Sequence, residues 1–309
     1  MIKFWFDNFK HKRASHRIRA LRPVEGLKSL GVDADIVNLR TINQITTDDI
    51  VIVTKDSGLE VIPMLQQQGY TVGFDLCDNK FKEEGERYQQ YCKIADFVTC
   101  NTEFMQQEVK QATGLDSYVF VDSVERPQQT HRQTDCQPVR LVWYGGAASL
   151  KYVDFGHCIQ LLNRSKIDYE LTILVDNAEQ RIGHLSKLGN VRCVDWSYDT
   201  QEQIVSESDI VFIPMFKNNQ RRTRTKSPNR VLDGIAQGRW VIAGNVPSYQ
   251  QVKEFCWLGD PVEGIQHYIN KPLDVARRIK AGQRWIQNNA SPEAVARQLI
   301  DIHTKVKHG

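Results

Sequence analysis

DIVFIP (209–214), RRTRTKSPNRVLDGIAQG (221–238) and WVIAG (240–244) decide the fold of this 309-residue chain. The first and last stretches are short apolar runs rich in β-branched residues, which read as buried strands. Between them a basic loop opens at Pro228 into an amphipathic helix, PNRVLDGIAQ, ended by Gly238. Strand, loop, helix, strand is the crossover unit of a parallel sheet.

Worked outward, the same alternation covers most of the chain. Upstream lie strands VRLVWY (139–144), YELTILV (169–175) and VRCVDW (191–196), with helices predicted near 152–163, 178–187 and 200–207. Downstream, helices are predicted near 272–288 and 292–306, the second with Ser291 as N-cap and Pro292 in its first position. The N-terminal half repeats the architecture. Strands are read at IKFWF (2–6), ADIVNL (34–39), DIVIVT (49–54), YTVGFDL (70–76), DFVTC (96–100) and YVFVDS (118–123). Helices are predicted near 22–30, 59–68, 83–93 and 103–113, and a basic loop follows the first strand. ERPQQTHRQTDCQP (125–138) is polar and lacks apolar periodicity, so it reads as a linker. The expected fold class is α/β, with two Rossmann-like doubly wound parallel-sheet domains facing across a cleft. The expected boundaries are a first domain 1–127, a linker 128–138, a second domain 139–290, and a terminal helix 291–309 packing back toward the first domain.

Composition narrows the function classes. No run approaches the ~18 apolar residues of a membrane span, and MIKFWFDNFK reads as a strand rather than a signal peptide. The seven cysteines are dispersed without C-x-x-C, which argues for free thiols in a reducing, cytoplasmic setting and against a disulfide framework or metal site. Net charge is only +3, yet two stretches carry cations without acids: Lys10 to Arg22 and Lys217 to Arg230. That pattern points to local anion sites and excludes a continuous nucleic-acid stripe.

Ligands of open parallel sheets bind beyond the carboxyl ends of the strands, so loops that follow strands are the candidate sites. Gly145-Gly146-Ala147-Ala148-Ser149-Leu150-Lys151 follows strand 139–144 and combines a close-approach backbone with a cation. Lys226, Ser227, Asn229 and Arg230 adjoin a helix start that can hold a diphosphate, and Asp233, one turn in, can accept two ribose hydroxyls. Asp75 and Asp78 end strand 70–76 and suit acid–base or hydroxyl-binding work. Ser15, His16, Arg17 and Arg19 follow the first strand and are candidates for an acceptor or phosphate contact.

KSPNRVLDGIAQGRWVIAGNVPSYQQV (226–252) resembles the donor-binding signature of GT-B glycosyltransferases, particularly family 4. WYGGAASLK (143–151) resembles the opening of that family's donor domain. FDLCDN (74–79) and ADFVTCNTEFM (95–105) resemble its later acceptor-domain units, and SPEAVARQLIDIH (291–303) its closing helix. The resemblance runs in order over nearly the whole chain. It implies a transferase, of the kind found in polysaccharide biosynthesis, that moves a sugar from a nucleoside diphosphate sugar to a glycan, lipid-linked or other hydroxyl acceptor. It implies retention of configuration, no metal and no cofactor beyond the donor substrate. Lys151 and Lys226 to Arg230 would contact the diphosphate, and Asp233 would hold the ribose. The family's Glu-x7-Glu motif reads Thr225-x7-Asp233 here. Gly146 replaces the arginine usual in its phosphate loop, and Cys77 stands where a catalytic histidine is common. Asp78, Lys226 and Lys151 are then the expected catalytic residues. The basic Lys10–Arg22 stretch suggests peripheral contact with an anionic inner-membrane surface. Two alternatives share the architecture: a non-catalytic relative acting as a binding or regulatory partner, and a nucleotide-sugar epimerase.

Overall fold

The computed structural model describes residues 1–131, 137–214 and 221–308, without the side chains of Arg221 and Arg222. The chain forms two compact units. One comprises Met1–Glu125, Thr225–Ser227 and Gln287–Gly309; the other comprises Arg126–Arg224 and Pro228–Ile286.

The first unit carries a six-stranded sheet of β1 (Ile2–Trp5), β2 (Ala34–Val37), β3 (Ile50–Thr54), β4 (Thr71–Leu76), β5 (Phe97–Cys100) and β6 (Tyr118–Val119), in the order β2-β1-β3-β4-β5-β6. Each neighbouring pair is parallel. Side chains alternate between the two faces of a strand, and β3 shows both faces covered. Val51 and Val53 pack with Val72, Phe74, Tyr88 and Tyr91, while Ile50 and Ile52 pack with Phe4, Val24 and Leu27. The second face is completed by the chain's last helix, Pro292–His308, whose Val295, Ala296, Leu299 and Ile302 join the same core. Ser291 caps that helix, its Oγ accepting from the Ala294 N–H at 3.2 Å. The helix lies so close to the Arg22–Ser29 helix that a Cβ on Gly26 would stand 2.1 Å from the Pro292 carbonyl oxygen.

The second unit carries β7 (Val139–Tyr144), β8 (Tyr169–Val175), β9 (Val191–Asp195), β10 (Ile210–Ile213), β11 (Trp240–Ala243) and β12 (Trp257–Leu258). All pairs are parallel, in the order β12-β11-β10-β7-β8-β9. One face packs Trp143, Ile173, Phe212 and Ile242 against Phe155, Ile159, Ile182, Ile265 and Ile279 from the flanking helices.

The structure departs from the sequence reading in three places. The basic stretch after β1 is helical from Ala14, through a π turn at Arg17–Leu21, into the Arg22–Ser29 helix. Buried ion pairs of Arg17 and Arg19 anchor it there. YVFVDS pairs over Tyr118–Val119 only, because β6 is an edge strand with one neighbour. Strand β12 and the Pro261–Asn270 helix, capped by Asp260, were not anticipated; two strand residues are too few for a periodic signal. No helix among the described residues is long and apolar enough to cross a membrane.

Candidate functional site

Strand order locates the candidate sites. In the second unit the chain moves outward from β7 through β8 to β9, returns to β10 beside β7, and moves the other way. The loops leaving β7 and β10 therefore diverge, and the carboxyl ends of these two strands mark the switch point where such sheets bind ligands. Gly145 and Gly146 leave β7 and lead into a 3₁₀ turn, Ala147–Tyr152. The turn is held by Ser149 N–H to the Gly146 carbonyl (2.8 Å) and by Ala147 N–H to the Asp176 carboxylate (3.3 Å).

Arg230 enters from the start of the Asn229–Ala236 helix. Its Nη1 donates to the Tyr144 carbonyl at 2.9 Å, across 86 residues of chain, and its guanidinium lies 5.5 Å from the centre of the Trp143 ring. A Cβ on Gly145 would stand 2.9 Å from that ring and 3.1 Å from Nη1. The glycine is thus what lets the guanidinium lie over the loop. Among the described residues Arg230 and Lys151 have no carboxylate partner; Lys151 is exposed, with Nζ 5.3 Å from the Tyr152 ring. The Asn229 side-chain oxygen accepts from the Arg230 N–H at 2.8 Å, so the helix starts on its own polar residue. Asp233 is one turn further, buried at 4% exposure. Gly145, Gly146, Ser149, Lys151, Asn229, Arg230 and Asp233 thus belong to one unit, and Arg230 joins the two segments. Lys226 and Ser227 belong to the other unit, where Ser227 hydrogen bonds the Asp122 carboxylate.

The first unit has its switch point between β1 and β3. The loop after β1 and the loop after β3 meet there: Gly58 N–H donates to Asp7 at 3.4 Å, and Arg13 pairs with Asp56 at 2.8 Å. His16 is buried at 1% exposure. Its Nδ1 accepts from the Lys10 N–H at 3.0 Å, so Nε2 carries the proton and donates to Asp56 at 2.8 Å. Lys55, just after β3, pairs with Asp78, just after β4. Burial opposes the Lys55 charge, but Cys77 and Asp78 raise its pKa above the ordinary lysine value. Burial pushes the Cys77 thiol up to about 12, so at neutral pH it keeps its proton.

Several sequence-predicted contacts take a different role in this structure. Arg19 is 1% exposed, with Nε and Nη2 on Asp75 at 3.1 and 2.6 Å, and Nη1 on the Phe120 carbonyl and Asp122 at 2.6 and 3.2 Å. Asp75 is equally enclosed and also accepts from Thr99 at 2.8 Å. Burial works against the Arg19 charge, and the two carboxylates overcome it, raising its pKa. Arg17 forms a two-pronged pair with Glu125 and donates to the His11 carbonyl at 2.6 Å. Ser15, half-buried, sits in the short helix between these anchors. Arg22 pairs with Glu25 at 2.7 Å. Of the six cations that suggested an anionic surface, Arg13, Arg17, Arg19 and Arg22 are therefore held by carboxylates, and Lys10 and Lys12 stand exposed. The partners of Arg13, Arg17 and Arg19 were missed because Asp56, Asp75, Asp122 and Glu125 lie 43 or more residues from the cations they hold, beyond any local pattern. Lys217 lies outside the described residues.

No family model matches the chain, and no curated protein matches it. Solved structures do. A glycosyltransferase from Rickettsia africae superposes with a TM-score of 0.64 at 13% identity, covering 100% of this chain and 99% of that one. An α-glucosyltransferase in complex with UDP-glucose and DNA containing an abasic site gives 0.63 at 10% identity, covering 98% of both chains. TarM gives 0.66 at 12% identity; the match takes 85% of this chain and 57% of TarM. The fold is that of GT-B glycosyltransferases: two α/β units, each with a six-stranded parallel sheet.

Proposed function

We propose that this chain is a glycosyltransferase of the family 4 type that takes a nucleoside diphosphate sugar at the β7–β10 switch point of its second unit. The observation that carries the reading is Arg230: its guanidinium is held over Gly145 at the carboxyl end of β7, with no carboxylate beside it among the described residues. A cation kept at the rim of a glycine loop and beside a helix start suits a diphosphate.

The step that needs help is departure of the nucleoside diphosphate. Its negative charge grows as the bond between the anomeric carbon and the phosphate oxygen breaks. Arg230, Lys151 and the N-terminal end of the Asn229–Ala236 helix stabilise that charge. The acceptor hydroxyl attacks the same face of the sugar and gives its proton to the departing phosphate oxygen, so configuration is retained. This route needs no side-chain base. That suits Cys77, whose proton is held to about pH 12. Asp78 orients a hydroxyl, and Asp233 holds the ribose. The acceptor is a glycan, a lipid-linked sugar or another hydroxyl compound. The neighbour that holds UDP-glucose supports the donor class.

Titration calorimetry against UDP-, GDP- and ADP-sugars tests the reading. At least one should bind, and Asp233→Ala should weaken it about tenfold through the lost ribose hydrogen bonds. Absence of binding by the whole panel rules the donor assignment out. The Thr225-x7-Asp233 motif favours one second reading, a non-catalytic relative; it predicts the same nucleotide binding with no turnover on any acceptor.

A further inference from the structure

We infer that the Lys55–Asp78 pair, flanked by Asn79 and Asn101, is a subsite for the adjacent hydroxyls of an uncharged acceptor sugar. The inference rests on the glycosyltransferase reading and names the acceptor class.

Parallel order brings the four residues together. β3, β4 and β5 are neighbours, and Lys55, Asp78 with Asn79, and Asn101 each follow one of their carboxyl ends. Asn101 Nδ2 donates to the Cys77 carbonyl at 3.0 Å, which fixes the asparagine beside Asp78. The Asn79 oxygen accepts from the Phe81 N–H at 3.3 Å. These bonds use one end of each amide. Asn79 Nδ2 and Asn101 Oδ1, in side chains only 3% and 2% exposed, have no partner among the described residues. The same holds for the hydroxyls of Thr54 and Ser57 on the β3 side. Beneath this edge lie one amide donor, one amide acceptor and two hydroxyls whose hydrogen-bonding capacity the described residues leave unused.

Charge selects the ligand. Asp78 is 31% exposed and Lys55 13%, so the carboxylate is the more accessible member of the pair. Three further cations of this unit, Arg13, Arg17 and Arg19, are also matched by carboxylates. A phosphorylated acceptor would have to approach Asp78 against its charge. A sugar diol instead donates both hydroxyls to the carboxylate and offers a lone pair to the ammonium. Lys55 acts here as a positioning residue that holds the Asp78 carboxylate in orientation.

Saturation-transfer NMR on the full chain tests this, with methyl α-D-glucopyranoside and its galacto and manno epimers as neutral probes and glucose 1-phosphate as the charged one. Each is run with and without the nucleoside diphosphate that calorimetry identifies. At least one neutral probe should bind, with little change between about 0.05 and 0.5 M salt, since no net charge is neutralised. Asp78→Asn and Lys55→Met should each weaken it about tenfold, as loss of a charge-assisted hydrogen bond does, and Lys55→Arg should restore most of it. Asn101→Ala, which leaves the ion pair in place, should weaken it about threefold. Stronger, salt-sensitive binding of glucose 1-phosphate overturns the inference, as does binding untouched by Asp78→Asn and Asn101→Ala. If nucleotide binds but none of the neutral probes does, the inference fails while the donor reading stands. If no nucleotide binds, the donor reading itself falls.

Discussion

The two sheets of this molecule have closely related topologies and opposite electrostatics at their carboxyl ends. Each is a six-stranded parallel sheet with one switch point, between β1 and β3 in the first unit and between β7 and β10 in the second. At the first, cations are matched by carboxylates: Arg13 on Asp56, Arg17 on Glu125, Arg19 on Asp75 and Asp122, Lys55 on Asp78. At the second, Arg230 is held by a carbonyl and an aromatic face, and Lys151 lies at the surface. Backbone order decides where a ligand can sit. On the proposed reading, whether the cations there are already matched sets the ligand: a polar neutral one at the first, an anion at the second.

The largest expected effect breaks the matched side. Arg19→Met leaves Asp75 and Asp122 buried without their cation, and should cost on the order of 3–5 kcal/mol of stability in denaturant unfolding. A loss below about 1 kcal/mol would show that the cluster is not what holds the Ala14–Leu21 segment down. On the unmatched side, Arg230→Ala should lower the transfer rate by about 10²–10³, measured at saturating acceptor, because a group that stabilises the leaving charge is gone. Its unfolding free energy should change by less than about 1.5 kcal/mol, the scale of one hydrogen bond. The contrast between these variants, stability in one and rate in the other, is what the comparison requires.

Smaller effects sharpen it. Gly26→Ala puts a methyl against the Pro292 carbonyl and should destabilise by about 1–3 kcal/mol, with earlier proteolysis of the terminal helix. Acid should act on the matched side. The hydrogen bond from His16, with Arg13 and Lys55, holds the Asp56 pKa below the usual carboxylate value, although burial opposes this. Asp49 is lowered too; burial again opposes the shift, and bonds from Thr46 and the N-terminal amine outweigh it. A depressed carboxylate stabilises fully above its unfolded value, near pH 4, and that contribution disappears as pH falls through the folded value. The free energy of unfolding should therefore fall as pH is lowered below about 4, and Asp56→Asn should reduce that fall by less than about 1 kcal/mol, given its partial exposure.

Much of this was legible in the chain. Apolar runs, helix periods and punctuating glycines placed eleven of the twelve strands found among the described residues, because strand and helix periodicity is a local property. The loops named as candidate sites follow from the same local reading and the rule that ligands gather beyond strand ends. Ser291 caps its helix as read, since a cap acts over three residues. β12 and the Pro261–Asn270 helix escaped, the strand because two residues carry no period.

By itself, then, the sequence determined the class of fold and the segments able to carry a site, since both rest on contacts within a few residues. Only the tertiary structure decided which charges are available. A cation's partner can be any carboxylate the fold brings near, and for Arg19 those carboxylates lie 56 and 103 residues along the chain. Periodicity and motif say nothing over such a separation, so a basic stretch that reads as an anion site becomes an internal anchor once the sheet is closed around it.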